Sequence, residues 1–451
     1  MSTSATVQLF ALPYLPSTAE YFSRIHQAPQ AIFLDSGQPQ AERGRFDIVS
    51  AWPLQVLSPQ STETGAAYLQ RCRQALARLT PCDSEQELPF TGGLLGYLNY
   101  EFQPDSYQQE STEHSTDYPV AQLGLYDWAL ITDHQQQRCY LMGHASVPAE
   151  RMHTLLTLFQ SPLADTTAAP TFKLTQPFQA RLSATDYQQQ IAQIHEYIRA
   201  GDCYQVNFTQ RFSATYQGDP WPAYLALRSA CPTPFSGFIR LNSEQAILSL
   251  SPERFLQVRQ QQVEARPIKG TRPRGANALS DQANAAELLA STKDQAENLM
   301  IVDLLRNDLG RCCRPGSIQV PELFALESYP NVHHLVSQIT GHLRDDVDVF
   351  DLIRASFPGG SITGAPKIRA MQIIQQLEST PRQIYCGSLL YLDCRGHFDS
   401  SIAIRTVLAL QQQLHCWGGG GIVLDSEWQA EYQESIDKVA VLMRTLEQQF
   451  S

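Results

Sequence analysis

Hydrophobic residues along this chain fall into two rhythms. In the N-terminal third, short alternating runs (AIFLDS, LGLYDWALITD and RCYLMGHA) predict β-strands, with two or three helically spaced stretches between them. The pattern lapses over SPLADTTAAPTFKLTQPF, residues 161–178. That stretch is rich in Thr, Ala and Pro, has no periodicity, and predicts a surface connection. The chain thus divides into an N-terminal region 1–160, a connection 161–180 and a C-terminal region 181–451.

Past the connection the signals sharpen. Ser183 or Thr185 can cap a helix in which Tyr187, Ile191, Ile194 and Ile198 recur at helical spacing, and Gly201 closes it. CYQVNFTQRFSATY then alternates as a strand. FSGFIRLN, AILSLSPERFLQV and QVEARPIKG follow as further strands, and YCGSLLYLDCRGHFDSSIAIRTVLAL turns at Arg395-Gly396. Helices are predicted around residues 284–309, 364–378 and 427–449. Strand meanders interleaved with helices predict an α+β fold with mostly antiparallel sheets.

Composition narrows the function classes. With 451 residues, 43% of them hydrophobic, the chain can bury a large core. Its net charge of −12 argues against a nucleic-acid or anionic-membrane surface, which would need a broad positive field. The ten cysteines show no C-x-x-C spacing and predict reduced, mostly buried thiols. The N-terminus has no basic start followed by an apolar run, and no apolar segment approaches the roughly 18–20 residues of a membrane helix. These features predict a soluble cytoplasmic protein.

Two helices carry carboxylates in rows. On EWQAEYQESIDKVAVLMRTLEQQF, Trp428, Tyr432, Ile436, Val439, Met443 and Leu446 form the predicted buried stripe. Glu427, Glu431, Glu434 and Lys438 run along its flank. Taken alone, that row fits a solvated face. In STKDQAENLMIVDLLRNDLGR, however, Asp294 and Glu297 share one face of a helix whose middle is apolar nearly all round, which predicts deep burial. Either the helix dipole accounts for these N-terminal acids, or the two acidic pairs suit a hard divalent cation such as Mg²⁺. That ion takes a few carboxylates together with water and a ligand's oxygens.

Lys269, in ARPIKGTRPRG, sits among Arg266, Arg272 and Arg274. This crowding marks either a basic patch for a polyanion, which the net charge of −12 disfavours, or an amine that loses its proton and reacts, since burial and neighbouring cations lower a lysine pKa if the arginines lack partners. FPGGSITGAPK lacks the Lys-Ser/Thr of a P-loop and reads instead as a backbone nest for an anion. WGGGGIVLDS is a second place where backbone can approach a ligand.

The ordered set SPERF, RPIKGTRPRG, ENLMIVDLLRNDLGR, HHLVS, GGSITGAPK, SIAIRT, GGGGIVLDS and YQESIDK is similar to the chorismate-utilising enzymes over about residues 185–445, and the N-terminal region resembles theirs as well. The resemblance implies an anthranilate synthase component I-like fold, with large antiparallel sheets packed as a sandwich and helices outside. Family members that add water at C2 carry a lysine base where this chain has Gln205. Those that form anthranilate have Ala where this chain has Lys269. The lysine implies amination at C4, giving 4-amino-4-deoxychorismate on the route to 4-aminobenzoate and folate. The neighbouring reading is amination at C2 with loss of pyruvate.

The resemblance further implies Lys269 as nucleophile and Glu253 as acid. It implies Mg²⁺ held by Glu297 and Glu434 with Asp294 and Glu431 in its shell, although Asp294 stands where relatives often have Glu. Thr271, His334, Ser361, Tyr385, Arg405, Gly419, Gly421 and Lys438 would line the chorismate site, Ser361 replacing the Thr of anthranilate-forming relatives. No glutaminase segment is visible, which implies a separate glutamine amidotransferase that supplies ammonia. In relatives the N-terminal region binds tryptophan. The matching positions here are Ser36, Arg45, Phe46, Pro234, Phe235 and Ser236.

Overall fold

The computed structural model describes residues 5–41, 44–104, 118–161, 171–329 and 332–451. The fold is α+β, as expected. Among the described residues it is built on a 12-stranded and a 10-stranded sheet, with a separate two-stranded pair. Among the described residues every pairing in the two large sheets is antiparallel, and only Ala5–Thr6 with Cys82–Asp83 is parallel.

The alternation of side chains explains the layering. Along the large sheet Ile32, Ile48, Ile131 and Ile247 enter one core, while Phe33, Val49, Leu130 and Leu248 enter another. The first core also holds Leu94, Leu125, Leu390 and Leu392 of the smaller sheet, so the two sheets pack face to face. The second core is closed by helices Pro220–Ala230 and Trp428–Phe450 on the opposite face. The sandwich with outer helices is thus present.

Both regions of the sequence contribute to both sheets. Ile32–Asp35 pairs with Phe235–Arg240 in the larger sheet, and Gly93–Leu98 pairs with Ser388–Asp393 in the smaller. At Ser251–Arg254 the chain leaves the larger sheet and enters the smaller, and Glu253 lies in that crossing.

Several expectations need correction. Within the expected connection, Phe172–Ala180 is a strand at the sheet edge, paired to Gln205–Gly218 across two register shifts. Those irregularities and its exposed outer face erase the alternation a strand would show. Residues 162–170 of the connection lie outside the described residues. The helix expected over 284–309 is two helices, Ala278–Ala290 and Thr292–Gly310, separated at Ser291, whose Oγ accepts from Asp294 N. Helix Thr292–Gly310 is not deeply buried: Leu299 is 45% exposed, because only one face packs on strands Ile268–Pro273 and Val332–His342. The helix expected from 364 begins at Lys367, since Gly364–Ala365 pairs instead with Gln205–Val206.

On Trp428–Phe450 the buried line runs through Glu431, Ser435, Val439, Leu442 and Leu446. Trp428, Tyr432, Ile436 and Met443 flank it. The helix is rotated from the apolar stripe because glycine backbone lies beneath it: a Cβ on Gly418 would stand 1.8 Å from Ser435 O. Ser183, with Asp186, forms the capping box of Ala184–Arg199, and Arg395-Gly396 makes the expected turn. The ten cysteines are free and all buried except Cys394. Among the described residues no helix is long and apolar enough to cross a membrane.

Candidate active site

Lys269 lies on strand Ile268–Pro273, where the register against Val332–His342 shifts between Ile268 and Thr271. Such a bulge re-aims a side chain. Gly270 sits at its turn with φ +84°, and a Cβ there would come within 3.0 Å of Asp294 and Leu288, so glycine is required. The Lys269 Nζ donates to the Ser361 carbonyl at 3.3 Å.

Glu253 is held from several sides. Its amide donates to Ser251 Oγ at 3.1 Å, and its carbonyl accepts from Ile402 N at 3.0 Å. Ser361 Oγ donates to its Oε1 at 3.1 Å. Ser361 therefore touches both expected catalytic groups, one through its carbonyl and the other through its hydroxyl. Burial raises the Glu253 pKa to about 7, while Lys269, the Ser361 hydroxyl, the Ile268 amide and Lys438 hold it down. Burial likewise lowers Lys269, opposed by Glu297, assisted by Lys438, and opposed by Glu253 and Glu434. The two shifts run in opposite directions, which favours a neutral acid beside a neutral amine.

The expected source of the lysine shift is wrong in one respect. Arg266 pairs with Glu327 and Glu322, Arg272 with Glu287 and Asp294, and Arg274 with Asp281. Those cations are neutralised, so the field on Lys269 comes from burial and from Lys438.

The carboxylates of two helices converge on the same amine. Glu297 and Glu434 both act on Lys269, and Glu297 is itself raised by burial, with Asp294 and Glu434 adding to the effect. Burial and Glu434 raise Glu431, whose Oε1 accepts from Ser426 Oγ at 2.7 Å. Glu431 Oε2 and Glu434 Oε1 approach within 3.0 and 3.2 Å of the point where a Gly420 Cβ would stand. Lys438 bridges to Glu434 at 2.6 Å and donates to Gly419 O at 2.9 Å. Asp294 is engaged by Arg272 at 3.2 Å.

Among the described residues no three His, Cys, Asp or Glu side chains are gathered to hold a metal by themselves. The donors are hard carboxylate oxygens from two acid pairs, Asp294 with Glu297 and Glu431 with Glu434. That set suits a divalent ion with few protein ligands and a shell completed by water and substrate oxygens.

The other expected site residues group around these. Thr271 Oγ1 hydrogen-bonds His334 Nδ1 at 2.9 Å. Burial, with Arg405 next, lowers His334 to about 4, so its imidazole is neutral. Arg405 has φ 49°, a left-handed conformation, and its Nη1 reaches Cys231 Sγ at 3.7 Å. Tyr385 is buried and stacks on Trp417 with centroids 5.9 Å apart. Gly419 and Gly421 pair with Thr209 and Asn207. Gln205 is 1% exposed, its side-chain amide N and O have no hydrogen-bond partner among the described residues, and its Nε2 would lie 2.2 Å from a Cβ on Gly421.

Ser36, Arg45, Phe46, Pro234, Phe235 and Ser236 line a single cavity of about 920 Å³. Ser36 Oγ donates to Asp47 at 2.6 Å, and Arg45 pairs with Asp133 and stacks over Phe46 at 4.4 Å. Pro252 and Ile268, immediately before Glu253 and Lys269, are also in its wall.

Sequence reasoning missed Ser426 as a partner of Glu431, and its position in LDSEW was the only signal. It also missed Ser291, although S-x-x-D in STKD is a capping pattern.

Comparison with known proteins gives a consistent result. Residues 29–444 match the family model described as chorismate binding enzyme. Aminodeoxychorismate synthase component 1 of Klebsiella aerogenes is 45% identical over 97% of this chain and 99% of its own length. The protein of that name from Escherichia coli strain K12 is 46% identical over 95% of each chain. The crystal structure of anthranilate synthase component I from Streptococcus pneumoniae superposes with a TM-score of 0.77, at 29% identity over 89% of this chain and 92% of that one.

Proposed function

This chain belongs to the chorismate binding enzymes, and we propose that it aminates chorismate at C4, giving 4-amino-4-deoxychorismate as the first component of an aminodeoxychorismate synthase. The observation that carries this reading is the Lys269–Ser361–Glu253 arrangement, an amine and an acid bridged by one residue. Like-named relatives at 45% and 46% identity over nearly the whole chain support it.

The amine of Lys269, with its pKa lowered by burial, bonds to C2 of the ring. Both ring double bonds shift, C1=C2 to C1=C6 and C5=C6 to C4=C5, and the C4–O bond breaks. Glu253, protonated up to about pH 7, gives its proton to the departing hydroxyl, which leaves as water. Ammonia then bonds to C4, the two double bonds return to their first positions, the C2–N bond to Lys269 breaks to free the amine, and a proton from the new ammonium restores the acid form of Glu253. Lys438 and the backbone of the glycine strand, with Arg405, supply donors for the two substrate carboxylates. Thr271 holds the neutral His334 beside the ring. The unpartnered amide of Gln205 is a further polar group beside the glycine strand, and it lacks the basicity to activate water.

Glu297 and Glu434, with Glu431 and Asp294 beside them, would hold Mg²⁺, whose positive charge would grip the ring carboxylate. The name "component 1" of the relatives implies a second component. A glutamine amidotransferase fits that role, since the reaction consumes ammonia. The cavity lined by Ser36, Arg45, Phe46, Pro234, Phe235 and Ser236 suits an aromatic amino acid, and tryptophan is its proposed occupant.

Incubation with chorismate, MgCl₂ and an ammonium salt, followed by chromatography, tests the reading. The expected product is 4-amino-4-deoxychorismate with pyruvate retained. Fluorescent anthranilate with free pyruvate would replace the proposal with C2 amination.

A further inference from the structure

Behind the catalytic pair lies a buried ion pair that the chemistry above does not use. Arg382 is 1% exposed, and the side chain of Glu378, four residues earlier, is 7% exposed. The guanidinium donates from Nε to Glu378 Oε2 at 2.8 Å and from Nη2 to Oε1 at 2.7 Å. It also donates from Nη1 to Ile362 O at 2.8 Å and from Nη2 to Asn207 O at 2.5 Å. Glu378 Oε1 in turn accepts from the amide and the hydroxyl of Thr209, each at 2.9 Å. The guanidinium lies 4.5 Å from the Tyr100 ring centroid. This arrangement ties the loop that holds Ser361 to the strand that carries Asn207 and Thr209.

We propose that Arg382, locked by Glu378, is a positioning residue that fixes Ser361 so that its carbonyl meets Lys269 and its hydroxyl meets Glu253. Ile362 O, the anchor point, is one peptide away from Ser361 O. A planar guanidinium with four donors in use constrains that peptide in direction as well as distance, which an ammonium group would not. Stability alone is a poor reason for such a pair, because burying two charges costs about as much as their attraction returns. The inference rests on the proposed roles of Lys269 and Glu253.

The test is a double-mutant cycle in the chorismate, ammonium and Mg²⁺ assay. Arg382→Lys is expected to lower kcat about 10- to 100-fold with KM changed less than about threefold. Placed on Ser361→Ala, the same substitution should cost clearly less than it does in the wild type, since the hydroxyl it positions is already gone and only the carbonyl contact with Lys269 remains to be disturbed. The alkaline limb of the kcat profile should move upward in Arg382→Lys, as in Ser361→Ala, because the Ser361 hydroxyl favours the ionised form of Glu253. Effects that multiply in the double variant, or a limb that stays put, would overturn the inference. If Arg382→Lys does not fold, Glu378→Gln is read by the same two criteria. A wild-type enzyme that yields no C4-aminated product overturns the proposed function and this inference together. Normal wild-type amination with multiplicative effects overturns only the inference.

Discussion

At the residue scale, the proposed chemistry depends on Lys269 and Glu253 each occupying the uncharged state. Glu253 ordinarily titrates near 4.5, and burial carries it to about 7. The acid form therefore survives to neutral pH and is lost as pH rises further, so kcat should fall on an alkaline limb near 7. Glu253→Gln should lower kcat by about 10²–10⁴-fold. The same shift predicts a loss of stability as pH rises, so that Glu253 supports the reaction at the expense of the fold. A carboxyl whose folded pKa lies above its unfolded one binds its proton more tightly when folded. Its contribution is intact below about 4.5 and is lost as pH rises to about 7. The loss is on the order of 3 kcal/mol. Glu253→Gln should accordingly raise Tm at pH 8 and leave it unchanged at pH 4, as differential scanning calorimetry would show. For Lys269, intact-mass analysis with chorismate and no ammonia should reveal a covalent adduct that is absent in Lys269→Ala. Identical spectra for the two proteins would remove lysine catalysis from the scheme.

These residues were legible in the sequence only through motif order. Spacing alone left the acids divided between a solvated face and a metal site. The charge field on Lys269 stayed conditional in the sequence because the acids that neutralise the arginines, Glu287 and Asp281 on the next helix and Glu322 and Glu327 on strand Gln319–Ser328, meet them only through folding. Arg382 gave no signal because its anchor atoms are backbone carbonyls.

At the element scale, the terminal helix and the glycine strand act as one part. Strand Gln413–Ile422 presents bare backbone, the helix settles onto it, and two of its carboxylates project over Gly420. A methyl at Gly418 would meet Ser435 backbone at 1.8 Å, where nothing flexible can yield. Gly418→Ala should therefore destabilise by about 1–3 kcal/mol through displacement of the helix. The atoms a methyl at Gly420 meets first are the flexible carboxylate ends of Glu431 and Glu434. Gly420→Ala should keep Tm within about 2 °C of wild type while raising the Mg²⁺ concentration for half-maximal rate about tenfold. Metal titration beside a melting curve separates the two cases, and a matching loss of stability in Gly420→Ala would contradict the placement of the acids. The existence of this helix was plain from its periodicity. Its rotation was not, because the apolar stripe specifies a face only to within the width of its neighbours. Here the neighbour is glycine, which admits Glu431 and Ser435 to the centre.

At the scale of the whole molecule, the boundary visible in the sequence is not a boundary in the fold. A break in periodicity marks where local order lapses, whereas sheet neighbours are chosen by pairing between distant strands. Phe235–Arg240 needs Ile32–Asp35 on one side, and Ser388–Asp393 needs Gly93–Leu98. Without residues 1–160, both strands become raw edges and the core between the sheets loses Leu94, Leu95, Leu123 and Leu125, each now at most 1% exposed. Burying a leucine contributes about 1.5–3 kcal/mol, and a folded domain is stable by only about 5–15 kcal/mol, so this loss alone approaches the whole margin. A 181–451 fragment should therefore fail to fold, although it carries Glu253, Lys269 and all four proposed metal acids. Circular dichroism and near-ultraviolet spectra of that fragment should lack tertiary signal, and the intact chain should melt in one transition by two independent probes. A fragment with native near-ultraviolet dichroism and measurable chorismate turnover would show that the catalytic pair needs only the C-terminal strands. The Pro252 and Ile268 contacts with the N-terminal cavity would then have no bearing on the chemistry next to them.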